Sequence, residues 1–343
     1  MGKKVKVILL ILIIILAAGL WFFKGSILPS VTEVADKDFL LIYEGTDLNK
    51  LADSLVYHGF IKSKSDLLLT AKIMRFQDKH VREGRFKLKP GWNNVMLLNE
   101  IAKGKMIPVK LVINPVRKIE NLAALLGKNL EHDSIDFLNE MLLPEELSSL
   151  SLDTATVMTL FIPNTYEFFW HTSPKNFLEK MASENKKFWE EGDRLKKLDE
   201  LHMSKEQVYT LASIVDRETR NNSEKPVIAG LYLNRLKDSM RLQADPTAVF
   251  AFGDFNLRRI TERQITFDSP YNTYKVKGLP PGPIFMATIA GIDAVLNYEK
   301  HNYIYMVARP DYSGLHDFSE TFESHREKAN KYRDWLTTQG LGL

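Results

Sequence analysis

The sequence predicts an α+β protein: an N-terminal transmembrane helix, a small βααβ domain and a larger mixed α+β domain. Three observations lead there. An uncharged apolar run at residues 7–23 follows Lys3, Lys4 and Lys6. From Asp38 onward, short strand-like segments alternate with segments of helical period. Beyond residue 107 helical periodicity dominates, interrupted by a loop-rich stretch at 253–283 and the strand-like YIYMVA at 303–308. The chain has 343 residues, enough for two domains and a short appendage.

The first 24 residues read as a cytoplasmic tip and a membrane anchor. Seventeen residues at 1.5 Å each span about 25 Å, slightly less than a hydrocarbon core of about 30 Å. Flanking lysines can snorkel, and Trp21, Phe22 and Phe23 fit an interfacial aromatic belt. The lysine cluster should stay on the cytoplasmic side, which places everything after Lys24 outside the membrane. The run ends in Trp-Phe-Phe-Lys and not in a small-x-small cleavage site, so an uncleaved anchor is expected over a signal peptide. Residues 25–37 read as a linker.

Residues 38–106 form the expected small domain. FLLIY (39–43) is strand-like, and Asp47 is placed to cap a helix carrying Leu48, Leu51, Leu55 and Val56. After His58-Gly59, Ser63 or Ser65 can cap a second helix through Ile73, and RFKLKPG (85–91) alternates like a strand before a Pro-Gly turn. Residues 93–103 look helical up to Gly104, and MIPVKLVI (106–113) is another strand. The strand, helix, helix, strand outline resembles a LysM-like glycan-binding module. A generic small α+β domain has the same outline.

The larger domain is expected over 107–340. Helices are predicted at 117–130, 134–142, 153–160, 174–192 and 192–200, then at 287–297 and 319–338. Ser204 and Gln207 give the Ser-x-x-Gln pattern of a capping box at the start of a further helix. Val208, Leu211, Val215 and Glu218 then recur along one face, whereas Asp216 and Arg217 point elsewhere. A carboxyl on an apolar stripe loses solvation of its charged form, so its pKa should rise toward the range of a general acid. Two ordinary alternatives stay open: Glu218 turns outward at the helix end, or it pairs with Arg220 or Arg235. Pro226 opens the next helix, where its missing N–H costs little.

Composition narrows the chemistry. The net charge of +3 comes from scattered basic residues among acidic ones and argues against nucleic acid. With no cysteine there is no thiol nucleophile, thiolate metal site, disulfide or lipid-modified cysteine. No glycine-rich phosphate loop, G-x-S-x-G or H-E-x-x-H occurs. His301, His316 and His325 lack zinc-ligand spacing and are expected on the solvent side or in the core. What remains is a polar cluster after Glu218: Asn234 and Arg235, then Gln243 and Asp245 in an expected extended segment, then Tyr271, Asn272 and Tyr274 before the Pro280-Pro281 turn. Amides, carboxylates and aromatic faces are the groups that bind sugars. Each also has a structural reading: an Arg235–Asp245 pair, Asn272 as a turn residue, Tyr271 and Tyr274 as core.

Taken together, ordered blocks across residues 107–336 resemble the YceG-like family of membrane-anchored endolytic murein transglycosylases. They are LFIPNTYEFF (160–169), LASIVDRET (211–219), VIAGLYLNRLKDSMRLQADPTAVFAFG (227–253), SPYNTYKVKGLPPGPI (269–284), YIYMVA (303–308) and GLHDFSETFESH (314–325). The resemblance implies cleavage of the β-1,4 bond between N-acetylmuramic acid and N-acetylglucosamine in nascent peptidoglycan, with 1,6-anhydro-muramic ends as products. It implies Glu218 as the single catalytic acid/base, with no metal or organic cofactor. It also implies an inner-membrane location with the catalytic domain on the extracytoplasmic side, beside peptidoglycan synthases. Two departures stand out. Asp216 occupies a position where family members often carry Glu, and Phe285-Met286-Ala287-Thr288 replaces the usual Asn-Pro-Gly.

Asn234, Gln243, Asp245, Asn272 and Tyr274 are the expected substrate-binding residues, with Gln243, Asn272 and Tyr274 nearest the sugar. The rival readings are a lysozyme-type muramidase using Glu218 with Asp245, and an anchored peptidoglycan-binding scaffold without turnover.

Overall fold

The structure, a computed structural model, describes residues 2–22, 24–32, 39–257 and 260–341. Phe23 of the expected aromatic belt, residues 33–37 at the end of the expected linker and Asp38, the first residue of the expected small domain, lie outside the described residues. Two compact units emerge. The first comprises residues 1–111 with 129–132 and 167–173; the second comprises 112–128, 133–166 and 174–343.

The first unit begins with a helix, Lys3–Phe22, whose side chains at Val5 and at residues 7–16 are exposed. Among the described residues no helix is long and apolar enough to cross a membrane. In this helix the side chains at 3, 4, 6, 18 and 20–22 are not among those described.

The βααβ order follows. Strand Leu40–Ile42 pairs antiparallel with Gly84–Phe86, setting Leu40 opposite Phe86. The second strand covers Gly84–Phe86, shorter than the expected 85–91, and its last residue faces Leu40, the first residue of its partner. Between them lie helices Leu48–Tyr57 and Lys64–Ile73, capped as the sequence suggests. Asp47 accepts from the Lys50 N–H at 2.8 Å, and Ser63 from the Asp66 N–H at 3.2 Å. Leu40, Ile42, Leu55, Leu67, Phe86 and Leu97 share one buried core with helix Asn94–Lys103.

In the second unit most predicted helices are present: Ile119–Asn129, Ser134–Met141, Pro174–Glu190, Arg194–Leu201, Lys205–Glu218, Lys225–Lys237, Ile289–Leu296 and Phe322–Thr338. Three expectations need correction. Residues 153–160 form only a 3-10 turn at Val157–Leu160, because the Asp153 carboxylate takes the N–H groups of Ala155 and Thr156 and holds a local turn. The segment around Asp245 is not extended. Asp245 and Pro246 open a helix, Asp245–Phe252, with proline in its first turn. The strand Tyr305–Ala308 has a partner the sequence reading missed, His316–Ser319, paired antiparallel with Tyr305 opposite Ser319 and Ala308 opposite His316.

Helix Lys205–Glu218 lies at the centre of this unit. Its capping box is complete: Gln207 N–H donates to Ser204 Oγ at 3.2 Å, and Ser204 N–H to Gln207 Oε1 at 2.9 Å. The helix is buried at every residue of 208–215, so the expected single apolar stripe is a helix enclosed on all sides. It packs against Lys225–Lys237 and Ile289–Leu296. Asp216, expected to point away from the core, is 5% exposed and pairs with Lys225 Nζ at 2.8 Å. Its other contacts are the N–H of Thr288 at 2.7 Å and the Thr288 hydroxyl at 3.0 Å, and Thr288 in turn caps Ile289–Leu296. Gly291 makes this approach feasible, since a Cβ there would lie 2.5 Å from the Asp216 carboxylate.

Candidate active site

Glu218 is the last residue of its helix, and the chain turns extended at Thr219. Its carboxyl is half-buried and opens on a cleft whose two arms meet at Glu218 and Asp245. The Tyr232 hydroxyl, on the neighbouring helix, donates to Glu218 Oε1 at 2.5 Å. Burial pushes the Glu218 carboxyl up to about 7, the hydrogen bond from Tyr232 opposes that rise, the Asp245 charge adds to it, and Arg235 works against it. A carboxyl so placed exchanges a proton readily near neutral pH.

Asp245 presents its carboxylate at the start of its helix and accepts a hydrogen bond from the Tyr274 hydroxyl. Burial raises its pKa, and that hydrogen bond counters the rise. Arg235 is buried and clamps backbone: its Nε donates to Ile304 O and its Nη1 to Leu242 O, each at 2.6 Å. It therefore ties the segment before Asp245 to Ile304, just ahead of the strand Tyr305–Ala308, while its charge bears on Glu218.

One arm of the cleft, of about 450 Å³, is lined by Gln243, Tyr274, Tyr305, His316 and His325 together with Arg235. His316 is held by Glu224, whose two carboxylate oxygens lie 2.6 Å from its backbone N and 3.0 Å from Nδ1. His325 stacks on Tyr305 with centroids 5.2 Å apart. The other arm, of about 470 Å³, is lined by Arg117, Arg217, Pro246, Val249, Phe250 and Phe255, among others. Among the described residues no group of three or more His, Asp or Glu side chains is arranged to hold a metal ion.

The YceG-like family model matches residues 40–331. The chain belongs to the YceG-like family. Its relatives include the endolytic murein transglycosylase of Bacillus subtilis strain 168, 33% identical over 171 residues that make up 50% of this chain and 46% of that protein. The endolytic murein transglycosylase of Streptococcus pneumoniae D39 is 24% identical over 335 residues, 87% of this chain and 60% of that protein. The chain thus spans 46% to 60% of the length of these curated relatives. A YceG-like protein of Listeria monocytogenes, solved by crystallography, superposes with a TM-score of 0.56 at 27% identity, covering 84% of this chain and 98% of that one.

Within this YceG-like site the structure brings together Glu218, Gln243, Asp245 and Tyr274. It does not bring Asn234 or Asn272 to the cleft lining. The Asn234 amide donates to the carbonyls of His301 and Tyr303, at 2.8 and 3.1 Å. Asn272 is fully buried, donates to the carbonyls of Gln264, Ile265 and Phe267, and accepts from the Tyr274 N–H. Backbone engages both ends of the Asn272 amide and the NH2 of Asn234. The considered Arg235–Asp245 ion pair does not form either, since Arg235 is engaged by carbonyls.

Sequence reasoning missed Tyr232, Arg117, Arg217, His316 and His325. Tyr232 lies on a different helix from Glu218, and no period connects the two. The histidines were expected on the solvent side or in the core, yet His316 and His325 line the cleft; only their place in GLHDFSETFESH hinted at the site. His301 is structural, its Nε2 2.9 Å from Val227 O.

Proposed function

We propose that this chain is an endolytic lytic transglycosylase that cuts the β-1,4 bond between N-acetylmuramic acid and N-acetylglucosamine in nascent peptidoglycan. The single observation that carries the reading is a half-buried glutamate, raised to about 7, at the junction of two cleft arms. A cleft extending to both sides of the reacting carboxyl suits attack within a strand. The names of the relatives, endolytic murein transglycosylases, support the same substrate and reaction.

In this mechanism protonated Glu218 donates to the glycosidic oxygen as the bond breaks. The carboxylate then takes the proton of the muramic 6-hydroxyl, which closes on the anomeric carbon as a 1,6-anhydro ring. Holding that hydroxyl within the same sugar gives it a high effective concentration compared with water. Tyr232 fixes Oε1 and leaves Oε2 for the proton. Gln243, Tyr274 and Asp245 serve the sugars flanking the bond, Asp245 also balancing positive charge that develops at the anomeric carbon.

The N-terminal residues support a location at the membrane. Lys3, Lys4 and Lys6 precede the apolar run, which fits a single-pass inner-membrane anchor with the catalytic unit outside the cell. The βααβ unit suits a LysM-like glycan contact. A strand-cutting enzyme anchored there would act beside peptidoglycan synthases on strands as they emerge.

The test is digestion of uncrosslinked glycan strands followed by mass spectrometry, for the wild type and Glu218→Gln. The wild type should release fragments ending in anhydro-muramic acid, lighter by one water than a reducing end. The variant should lose at least about 100-fold in rate, as expected for removal of a general acid. Asp245 lines the same cleft, which is the observation favouring a muramidase. Reducing-end products would establish that reading and remove the transglycosylase. Equal release by both proteins would remove Glu218 from catalysis, and release by neither would leave a binding scaffold.

A further inference from the structure

The two arms of the cleft differ in chemistry. The Gln243 arm offers amide, hydroxyl and imidazole groups with aromatic faces, the kind of lining that suits sugar hydroxyls. The opposite arm has an apolar wall that includes Pro246, Val249, Leu257 and Ile284, and it carries two guanidinium groups. The Arg117 guanidinium lies 3.8 Å from the centroid of the Phe255 ring and 6.0 Å from that of Phe285, and Arg217 lies 5.0 Å from Phe285. The two cations are thus gathered around one aromatic ring. Stacking uses the flat face of a guanidinium and leaves its N–H edges free for a carboxylate.

No side-chain hydrogen bond or ion pair engages either arginine among the described residues. Glu218 and Asp245 line the same arm without forming an ion pair with them. Burial lowers the Arg117 pKa, and the charge of Arg217 lowers it further, as expected of like charges held close without a counterion. An anion between them would relieve that repulsion.

Peptidoglycan supplies one. Each muramic acid carries, through its lactyl ether, a short peptide with free carboxylates and small aliphatic side chains. We propose that this arm binds the stem peptide of a muramic residue beside the scissile bond, with Arg117 and Arg217 gripping a stem carboxylate and the apolar wall receiving its aliphatic side chains. The inference rests on the peptidoglycan reading above and gives it a specificity: strands with charged stems over strands without them. It also gives Phe285, in the segment that departs from the family pattern, a part as the ring both arginines share.

The experiment measures binding to the full chain carrying Glu218→Gln, so that strands are not consumed. Three soluble ligands are compared: strands with intact stems, strands whose stem carboxylates have been converted to amides, and strands stripped by an amidase, which keep only the lactyl carboxylate. The intact strands should bind about tenfold or more tightly than the amidated ones, the size expected for a charged hydrogen-bonded contact. Arg117→Gln with Arg217→Gln should erase that difference. Arg117→Lys with Arg217→Lys, which keeps the charges but not the forked donors, should retain part of it and guards against misfolding of the glutamine form.

Equal affinity for intact and amidated strands in the parent protein overturns the proposal, as does a difference that survives in the glutamine form. If stripped strands bind as tightly as intact ones and depend equally on the arginines, the anion is the lactyl group and the stem assignment is wrong. If the wild type cuts nothing while the Glu218→Gln protein binds intact stems through the arginines, the catalytic reading fails and this one stands.

Discussion

A carboxyl that titrates near pH 7 is protonated often enough to donate and ionised often enough to accept, and at Glu218 opposing forces set that balance. Burial raises its pKa, the Tyr232 hydrogen bond favours the charged form, and the Asp245 charge disfavours it. In the proposed mechanism the acid form performs the first step, so kcat/KM should fall as pH rises through about 7. Tyr232→Phe removes a hydrogen bond that stabilises the carboxylate. It should move that basic limb to higher pH and, by freeing the carboxyl to rotate, lower kcat about tenfold. Asp245→Asn removes a negative neighbour and should move the limb to lower pH. A pH–rate series on the three proteins checks this, and shifts in the same direction for both variants would contradict the electrostatic account. Glu218 itself was legible as an acid on an apolar pattern. Tyr232 was not, because a side chain that meets Glu218 from another helix leaves no period in the sequence.

At the scale of elements, the helix carrying Glu218 is fastened at both ends. Its start is the Ser204–Gln207 box, readable from four residues because capping is local. Near its other end Asp216 is locked to Lys225 and to the cap of Ile289–Leu296, so three helices are joined two residues before Glu218. Both partners of the pair are nearly sealed from water, at 5% and 7% exposure. Lys225→Met should therefore destabilise the protein by about 3–5 kcal/mol by stranding a buried carboxylate. Adding Asp216→Asn should recover much of the loss. Urea unfolding measures both, and a single variant no less stable than the wild type would rule out the fastening role. The shorter Asp at this position thus has structural work, in keeping with Glu218 as the proton donor. That Asp216 faces inward escaped the periodicity argument, which assumed one buried face on a helix that is buried all round.

At the scale of the whole molecule, the sequence suggests a division at residues 106–107, whereas the compact units part at 111–112 and the first also takes in 129–132 and 167–173. Such returns are tertiary facts that no composition shift marks. The anchor reading is tested on the full chain. Expressed with residues 1–24 it should stay with membranes through a high-salt wash, whereas removal of residues 2–24 should release it to the soluble fraction while activity on soluble strands persists. Release of the full chain by salt alone would show a peripheral attachment.

By itself the sequence determined most of the helix starts, the apolar run, the βααβ order and that Glu218 is an acid on an apolar pattern, because caps and hydrophobic period are carried by neighbouring residues. Only the tertiary structure decided that Asn234 and Asn272 serve backbone, that Tyr232 and Arg235 bear on Glu218, and that two arginines share one ring beside it. Those contacts join residues far apart in the chain, and packing of the helices creates the low-polarity setting that raises the Glu218 pKa.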